Sequence, residues 1–220
     1  MRHIIELKNI SKSFGEAEVL KNISLKVREN ETVLITGPNG SGKTTLLRCL
    51  SLLEKINEGE IILDGNIITP ETGTESLLKK QLTGFVFQEL HLWPHFTVTE
   101  NITKPLMVVN KISKENATKI AEEILGSVGL ADKKNEYPSF LSGGQKRRLL
   151  IARTLAMNPK ILLLDEITAN LDAEIKKEIF SVIKKIAKNK TTIIVSHDKE
   201  LRNIAERVFY LKDGVLTEKT

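Results

Sequence analysis

The chain has 220 residues, which is long enough for one domain with a sizeable hydrophobic core. Its hydrophobic and charged fractions, 40% and 28%, are ordinary for a soluble protein. No apolar run approaches the ~18 residues that a membrane span needs, and the charges near the N-terminus exclude a signal peptide. We therefore expect a cytoplasmic protein that would reach a membrane only through a partner.

The charge pattern disfavours a nucleic-acid-binding protein, and the single cysteine excludes a disulfide-stabilised one. The formal charge of +5 invites a nucleic-acid interpretation, but the lysines alternate with acids or lie on one helix, and aromatic residues make up only 5%. No nucleic acid partner is therefore expected. Cys49 is the only cysteine, which rules out an internal disulfide, and its leucine-rich surroundings predict a buried, inert thiol.

The first part of the chain is predicted to be rich in strands. Apolar residues either alternate or run continuously in short segments, and Asp64-Gly65 indicates a hairpin turn between two of them. A helix-like run follows the third strand, at 45–50. Strands are predicted at 4–7, 23–27, 32–36, 59–63, 67–68 and 84–87.

Helical periodicity begins in the middle of the chain and then alternates with strands. A pattern over 117–128 predicts one helix, and a second runs from about Gly143 to just before Pro159. Asp172 is placed to cap a third helix, whose buried face is predicted to hold Ile175, Ile179, Val182, Ile183 and Ile186. Further strands are predicted at 161–164, 191–195 and 208–211, the last followed by a turn at Asp213-Gly214.

This order of elements predicts the fold class. Continuous apolar strands alternating with helices indicate an α/β protein with a mainly parallel sheet that is covered on both faces. The mid-chain helices would form an insertion at one side. We expect one domain over 1–220, in which 1–88 and 159–220 form the α/β core and 89–158 a helical subdomain.

A glycine-rich segment between the strand at 32–36 and the next helix fits the phosphate-binding loop G-x-x-x-x-G-K-[ST] at every fixed position. Its glycines let backbone N–H groups turn toward phosphate oxygens, and the helix N-terminus adds partial positive charge. Lys43 can reach the β- and γ-phosphates, and the Thr44 hydroxyl can hold Mg²⁺. The residues expected to contact the nucleotide here are Gly37, Pro38, Asn39, Gly40, Ser41, Gly42, Lys43, Thr44 and Thr45.

Two acids follow the apolar strand at 161–164 directly. In a doubly wound sheet, ligand chemistry lies at the carboxyl ends of the strands. Asp165 is therefore expected to hold Mg²⁺, usually through water, and Glu166 to polarise the attacking water. A solvated turn is the alternative for an isolated acid pair, but the phosphate-binding loop favours the catalytic interpretation.

A second phosphate-binding helix start is predicted at Ser142. Ser142-x-x-Gln145 matches a capping box, and Gly143 and Gly144 behind the cap would leave backbone N–H groups accessible. A plain helix cap is the alternative. One nucleotide needs one such loop from a chain, so a second one suggests contact with a nucleotide that is bound to another copy.

These three motifs, in this order and spacing, resemble the ATPase subunit of ABC transporters over essentially the whole chain. The resemblance implies a P-loop NTPase fold of the RecA-like type, with an N-terminal antiparallel β subdomain and an inserted α-helical subdomain. It also implies ATP and Mg²⁺ as ligands, and ATP hydrolysis as the activity.

The resemblance assigns further residues to the site. Phe14 lies where the family stacks an aromatic ring on adenine, and Gln88 corresponds to the lid glutamine that senses Mg²⁺ and the γ-phosphate. Asp172 belongs to the loop after the acid pair, and His197 matches the switch histidine that contacts the γ-phosphate. The catalytic residues are therefore expected to be Lys43, Gln88, Glu166 and His197.

The resemblance also implies partners. Two copies would close head to tail, with each ATP between the phosphate-binding loop of one copy and the Ser142–Gln145 segment of the other. Separate membrane subunits are expected, with the chain on the inner face of the membrane and a solute-binding protein as a further partner. The stretch around Trp93 is similar to importers of polar amino acids, and its aromatic side chains would either anchor the membrane subunit or pack the loop.

Three alternatives stay open at this point. Lipoprotein-releasing and peptide exporters carry related loops near Trp93. A soluble ABC-type ATPase acting on ribosomes or DNA is a different class, although it usually carries two such domains or long coiled coils. A regulatory module without turnover is disfavoured by the presence of Glu166 and His197.

Overall fold

The computed structural model describes residues 2–72 and 81–219. Its α-helices are α1 Lys43–Leu50, α2 Val98–Val108, α3 Lys114–Ser127, α4 Gly143–Ala156 and α5 Ala173–Ala187. Its strands are β1 His3–Phe14, β2 Ala17–Arg28, β3 Thr32–Thr36, β4 Glu58–Leu63, β5 Asn66–Ile68, β6 Thr83–Val86, β7 Ile161–Asp165, β8 Thr191–Val195, β9 Arg207–Lys212 and β10 Val215–Lys219.

The strands form two sheets. The first is antiparallel, in the order β2-β1-β4-β5, and its last two strands are joined by Asp64 and Gly65, which both have positive φ as a tight hairpin turn requires. The second has the order β10-β9-β3-β8-β7-β6. In it β9, β3, β8 and β7 are parallel, and β10 joins β9 antiparallel. The predicted fold class is confirmed.

The chain divides into two compact units. The first comprises the described residues of Met1–Phe85, Lys160–Glu166 and Ala187–Thr220. It contains both sheets, and its core joins the inner faces of the sheets to the leucines of α1. Strands β7 and β8 are buried along their whole length, which explains why they read as continuous apolar runs.

The second unit comprises Val86–Pro159 and Ile167–Ile186 and is helical. The second unit thus includes most of α5, which lies outside the range 89–158 expected for the helical subdomain. The division into a nucleotide-binding core and a helical subdomain at the expected residues stays a prediction. The predicted helices α3 and α4 are confirmed, and α2 is an addition. On α5, Phe180 is buried, whereas Ile175 and Ile186 of the predicted face are only half-buried.

Within the described residues, no helix has the length and hydropathy to cross a bilayer.

Candidate active site

The phosphate-binding loop connects β3 to α1, and its glycines permit close backbone approach. Gly37, Gly40 and Gly42 have φ of 150°, 76° and 100°. A Cβ atom on Gly37 would lie 2.0 Å from the carbonyl oxygen of Leu211, and one on Gly42 would lie 2.9 Å from that of Val19. Glycine is therefore required at both ends of the loop, because a side chain there would meet backbone atoms of β9 and β2.

The loop presents a buried cation and a buried hydroxyl. The Nζ atom of Lys43 donates to the carbonyl oxygens of Gly37 and Pro38, at 2.9 Å each. Burial lowers the pKa of Lys43, and the carboxyls of Glu166 and Asp165 oppose that shift. Among the described residues, the buried Ser41 hydroxyl has no hydrogen-bond partner. These groups fit an anionic ligand that accepts hydrogen bonds.

Thr44 and Asp165 meet where α1 begins and β7 ends. The Thr44 hydroxyl donates to Oδ1 of Asp165 at 3.2 Å, and Asp165 is buried. Burial raises the pKa of Asp165, and the Thr44 hydroxyl and Lys43 hold that rise back. No group of three or more His, Cys, Asp or Glu side chains suited to a metal occurs within 2–72 and 81–219. A cation here would thus have two oxygen donors from these residues, which fits Mg²⁺ completed by phosphates and water.

Glu166, His197 and Asn39 form a polar triangle beside the loop. The Nε2 atom of His197 lies 3.2 Å from Oε1 of Glu166 and 3.1 Å from Oδ1 of Asn39. Because both neighbours are acceptors, we assign the Nε2–H tautomer, with the proton shared between them. Sequence reasoning placed Asn39 only among the phosphate contacts and missed its bond to the histidine.

The Glu166 carboxyl is half-buried, and the backbone that carries it has a positive φ. Glu166 has φ of 47°, and its N–H donates to the carbonyl oxygen of Val195 at 2.9 Å. Burial raises the pKa of Glu166; His197 and Lys43 counteract that rise, whereas Asp165 adds to it. A carboxylate whose pKa is shifted toward neutral pH is suited to accept a proton from water.

The predicted capping box at Ser142 is confirmed. The N–H of Ser142 donates to the Gln145 amide oxygen at 2.9 Å, and the Gln145 N–H donates to the Ser142 hydroxyl at 3.2 Å. Gly143 is exposed, as the phosphate-binding interpretation requires. Gly144 is buried instead, and a Cβ atom on it would lie 2.4 Å from Cγ2 of Ile175 in α5. The second glycine is therefore explained by helix packing.

Gln88 lies two residues beyond β6, which ends at Val86, one residue earlier than the strand predicted at 84–87. Its backbone is held by Arg147 of α4. The buried guanidinium of Arg147 donates to the carbonyl oxygens of Phe87 and Gln88. Sequence reasoning missed Arg147, because an arginine two residues after a capping box is expected to be exposed.

The loop around Trp93 combines packing with exposure. The Trp93 ring contacts Phe96 edge to face, at 5.9 Å between centroids, and the Arg153 guanidinium lies 4.8 Å from its centroid. The buried Asn101 amide donates to the carbonyl oxygens of Trp93, Phe96 and Thr97. Trp93 nevertheless remains 41% exposed. Packing of the loop and anchoring of a membrane subunit, the two roles considered for these aromatic side chains, are thus compatible with each other.

Two further predicted residues lie at the ends of elements. Phe14 closes β1, and its ring is half exposed. Asp172 caps α5, because its Oδ1 accepts from the N–H of Ile175 at 2.9 Å, as predicted. Neither observation tests a nucleotide contact, so these roles stay predictions.

Comparison with known proteins decides the family. Residues 20–169 match the family model described as ABC transporter. The chain belongs to this family. It is 48% identical over 98% of its length to the arginine transport ATP-binding protein ArtM of Bacillus subtilis, covering 90% of that protein. It is 42% identical, at the same coverage of both chains, to the glutamine transport ATP-binding protein GlnQ of Escherichia coli.

Solved structures agree with the relatives. The ATP-binding cassette MJ0796, in a dimeric post-hydrolysis state bound to ADP and Pi, has a TM-score of 0.86 at 38% identity, over 97% of this chain and 98% of that one. The chain is thus an ATP-binding subunit and an ATPase of the ABC transporter family, and the predicted recognition and enzyme class are confirmed. The family match includes the phosphate-binding loop, the Ser142 capping box and the Asp165-Glu166 pair.

Proposed function

We propose that this ABC ATPase drives import of polar amino acids through separate membrane subunits, on the inner face of the cell membrane. The relatives' names support the cargo class: they transport arginine, cystine and glutamine. A solute-binding protein would deliver the cargo from outside. The single observation that carries the ATPase part of the proposal is the juxtaposition of Lys43, Asp165, Glu166 and His197 around one loop.

Binding of the nucleotide would use both ends of the site. The Phe14 ring stacks on adenine, and the loop from Gly37 to Thr45 holds the phosphates, as the Ser41 hydroxyl and the Lys43 ammonium are suited to do. Two copies close head to tail, so that residues 142–145 and Asp172 of one copy complete the site of the other. Dimeric MJ0796 structures support the formation of a dimer.

Mg²⁺ would be held by Thr44 and Asp165, with Gln88 as the sensor of its presence, and would supply charge neutralisation for the phosphates. The hydroxyl and carboxylate already lie within 3.2 Å of each other, so little rearrangement is needed to present both oxygens.

The chemical step assigned to this chain's own residues is proton transfer. The Glu166 carboxylate orients the attacking water and accepts its proton. His197 donates its Nε2–H toward the γ-phosphate; without that acceptor, the same N–H is held by Glu166 and Asn39. Loss of the γ-phosphate removes the group that joins the two copies, and their separation returns the membrane subunits to their starting state.

The proposal is tested by Glu166→Gln, with Glu200→Gln as the matched control, because Glu200 is exposed. We expect Glu166→Gln to bind Mg-ATP, to form a stable dimer and to lose about 10³-fold or more in turnover, while the control keeps wild-type turnover. Wild-type turnover in Glu166→Gln would refute the role of this residue.

The same variant tests the cargo class. Tagged Glu166→Gln loaded with Mg-ATP in its native cells should co-purify with a multi-span membrane protein, and with a solute-binding protein whose ligand is a polar amino acid. Recovery of a membrane protein of the lipoprotein- or peptide-exporting type would refute import, and recovery of ribosomes or DNA would refute the transporter assignment.

A further inference from the structure

Lys12 is a buried cation under the proposed adenine platform. It is 7% exposed, near the end of β1, and shares a face of that strand with Phe14 two residues later. Its Nζ atom lies 2.8 Å from Oε1 of Glu54 and 4.8 Å from the centroid of the Phe14 ring. The ammonium therefore makes a hydrogen-bonded ion pair and a cation–π contact at once.

Glu54 is fixed to the helix that begins in the phosphate-binding loop. Its backbone N–H donates to the carbonyl oxygen of Arg48, in the last turn of α1, at 3.1 Å. Because α1 begins at Lys43, a short covalent and hydrogen-bonded path leads from the phosphate-binding loop to the Glu54 carboxylate. The ion pair with Lys12 extends this path to the strand that carries Phe14.

The segment after α1 holds the same stretch of β1 at two more points. The N–H of Asn57 donates to the carbonyl oxygen of Ser11 at 2.9 Å, and the N–H of Ser13 donates to the Asn57 side-chain oxygen at 2.8 Å. Lys12 lies between these two backbone contacts. The backbone on either side of Lys12 is thus in place without its ammonium, so replacing the lysine is expected to alter the ring above it and leave the strand intact.

The Phe14 ring is only partly enclosed by its surroundings. Phe14 precedes Gly15 in a tight turn between β1 and β2, and 49% of its surface is exposed. A half-exposed ring can adopt several χ1 rotamers, and only some of them present a face parallel to a bound base. A cation on one face favours the rotamer that lies over it and leaves the opposite face for a ligand.

We infer that Lys12 is a positioning residue for base recognition: held by Glu54, it fixes the Phe14 ring at a set place relative to the phosphate-binding loop, so that adenine and the phosphates are bound together. This inference rests on the proposed stacking of Phe14 on adenine. It assigns to Lys12 an effect on nucleotides that carry a base, and none on the triphosphate group alone.

The test compares Lys12→Met with Lys8→Met. Methionine keeps the length and the apolar stem of lysine, and Lys8 lies on the same strand in an exposed ion pair with Glu60 at 3.2 Å. Binding of Mg-ATP and of Mg-tripolyphosphate, which lacks the base, is measured by calorimetry. We expect Lys12→Met to weaken Mg-ATP about threefold to tenfold, to leave tripolyphosphate within about twofold, and to raise KM while leaving kcat nearly unchanged. Lys8→Met should change none of these.

Phe14→Leu separates the inference from the proposal beneath it. If Phe14→Leu leaves Mg-ATP affinity unchanged, the stacking role fails, and the inference fails with it. If Phe14→Leu weakens Mg-ATP but Lys12→Met does not, the inference alone is overturned. In the double variant, Lys12→Met should add less than about twofold to the loss from Phe14→Leu, because the lysine acts through the ring. Full additivity, or equal weakening of tripolyphosphate, would show a general structural role instead.

The inference can still be tested if Lys12→Met fails to fold. If Lys12→Met loses its cooperative unfolding transition, the double variant Lys12→Met with Glu54→Leu removes both charges and leaves no half-buried carboxylate without its partner. The same loss of Mg-ATP affinity with unchanged tripolyphosphate binding is expected from it, and unchanged Mg-ATP affinity would overturn the inference.

Discussion

Alanine at Gly37 should destabilise the protein far more than alanine at Gly40, although both glycines belong to one loop. A Cβ atom at Gly37 would lie 2.0 Å from the carbonyl oxygen of Leu211, and ordinary contact begins at 3.4 Å, so the two backbones must separate by about 1.4 Å. No rotamer change relieves this clash, because the obstacle is backbone. At Gly40 nothing lies within 4 Å of the added atom.

The magnitudes follow from two separate costs. At Gly40 only the positive φ of 76° matters, which costs about 1–2 kcal/mol for a residue with a side chain. At Gly37 a similar backbone cost adds to about 1–3 kcal/mol for forcing an atom into a packed site. Displacement would also strain the pairing of Thr36 with Tyr210. We expect about 2–5 kcal/mol for Gly37→Ala and about 1–2 kcal/mol for Gly40→Ala.

Urea unfolding without nucleotide, followed by far-UV circular dichroism, measures both values. Comparison is valid if the two variants share the wild-type dependence on urea. A difference of less than about 0.5 kcal/mol between the two variants, or a larger loss at Gly40, would refute the claim that contact with β9 dictates glycine at position 37.

Two further outcomes are expected from the pKa shifts. Because burial raises the pKa of Glu166, its ionised form opposes folding above that pKa, and the penalty disappears as pH falls toward the ordinary carboxyl range near 4.3. Glu166→Gln should therefore unfold at higher urea than the wild type at pH 8, and this advantage should shrink at pH 5; a constant advantage would contradict the burial argument. Burial raises the pKa of Cys49 to about 12, so iodoacetamide at pH 8 should modify the unfolded chain and leave the folded one almost unmodified. Rapid labelling of the folded chain, followed by mass spectrometry, would show that the thiol is accessible.

Local signals in the sequence predicted many elements. The strand β3, the helix α4 with its capping box, and the hairpin turn at Asp64-Gly65 each have a pattern or cap contained within a few residues. The phosphate-binding loop and the two acids at the end of β7 were predicted for the same reason, since their chemistry depends on spacing along the chain. Their approach in space follows from the parallel pairing of β3, β8 and β7.

Elements without a clean local pattern were missed. Helix α2 contains Pro105 and follows an aromatic loop, which disguised its periodicity, although the capping box from Thr97 to Glu100 marks its start. The last strand, β10, is mostly exposed, so it has no apolar pattern, and it forms by pairing with β9.

Contacts between residues distant in sequence lay beyond prediction altogether. The packing of Gly144 against Ile175 and the bonds from Arg147 to the backbone near Gln88 depend on which helix face meets which neighbour. The ion pair that joins Lys12 to Glu54 is of the same kind. Single-sequence patterns carry no information on such contacts, because each partner alone is unremarkable in its own segment.

The position of β3 in its sheet has a consequence for biosynthesis. Its two neighbours are β8 and β9, which lie more than 150 residues later in the chain, so a ribosome releases β3 long before either partner exists. The glycine-rich loop that follows β3 takes its shape against Leu211 of β9. A nascent chain that ends before residue 207 therefore contains the whole nucleotide-binding motif but lacks β9, the strand against which the loop packs. Such a chain is expected to gain affinity for ATP only late in translation, and to depend on shielding of β3 until then.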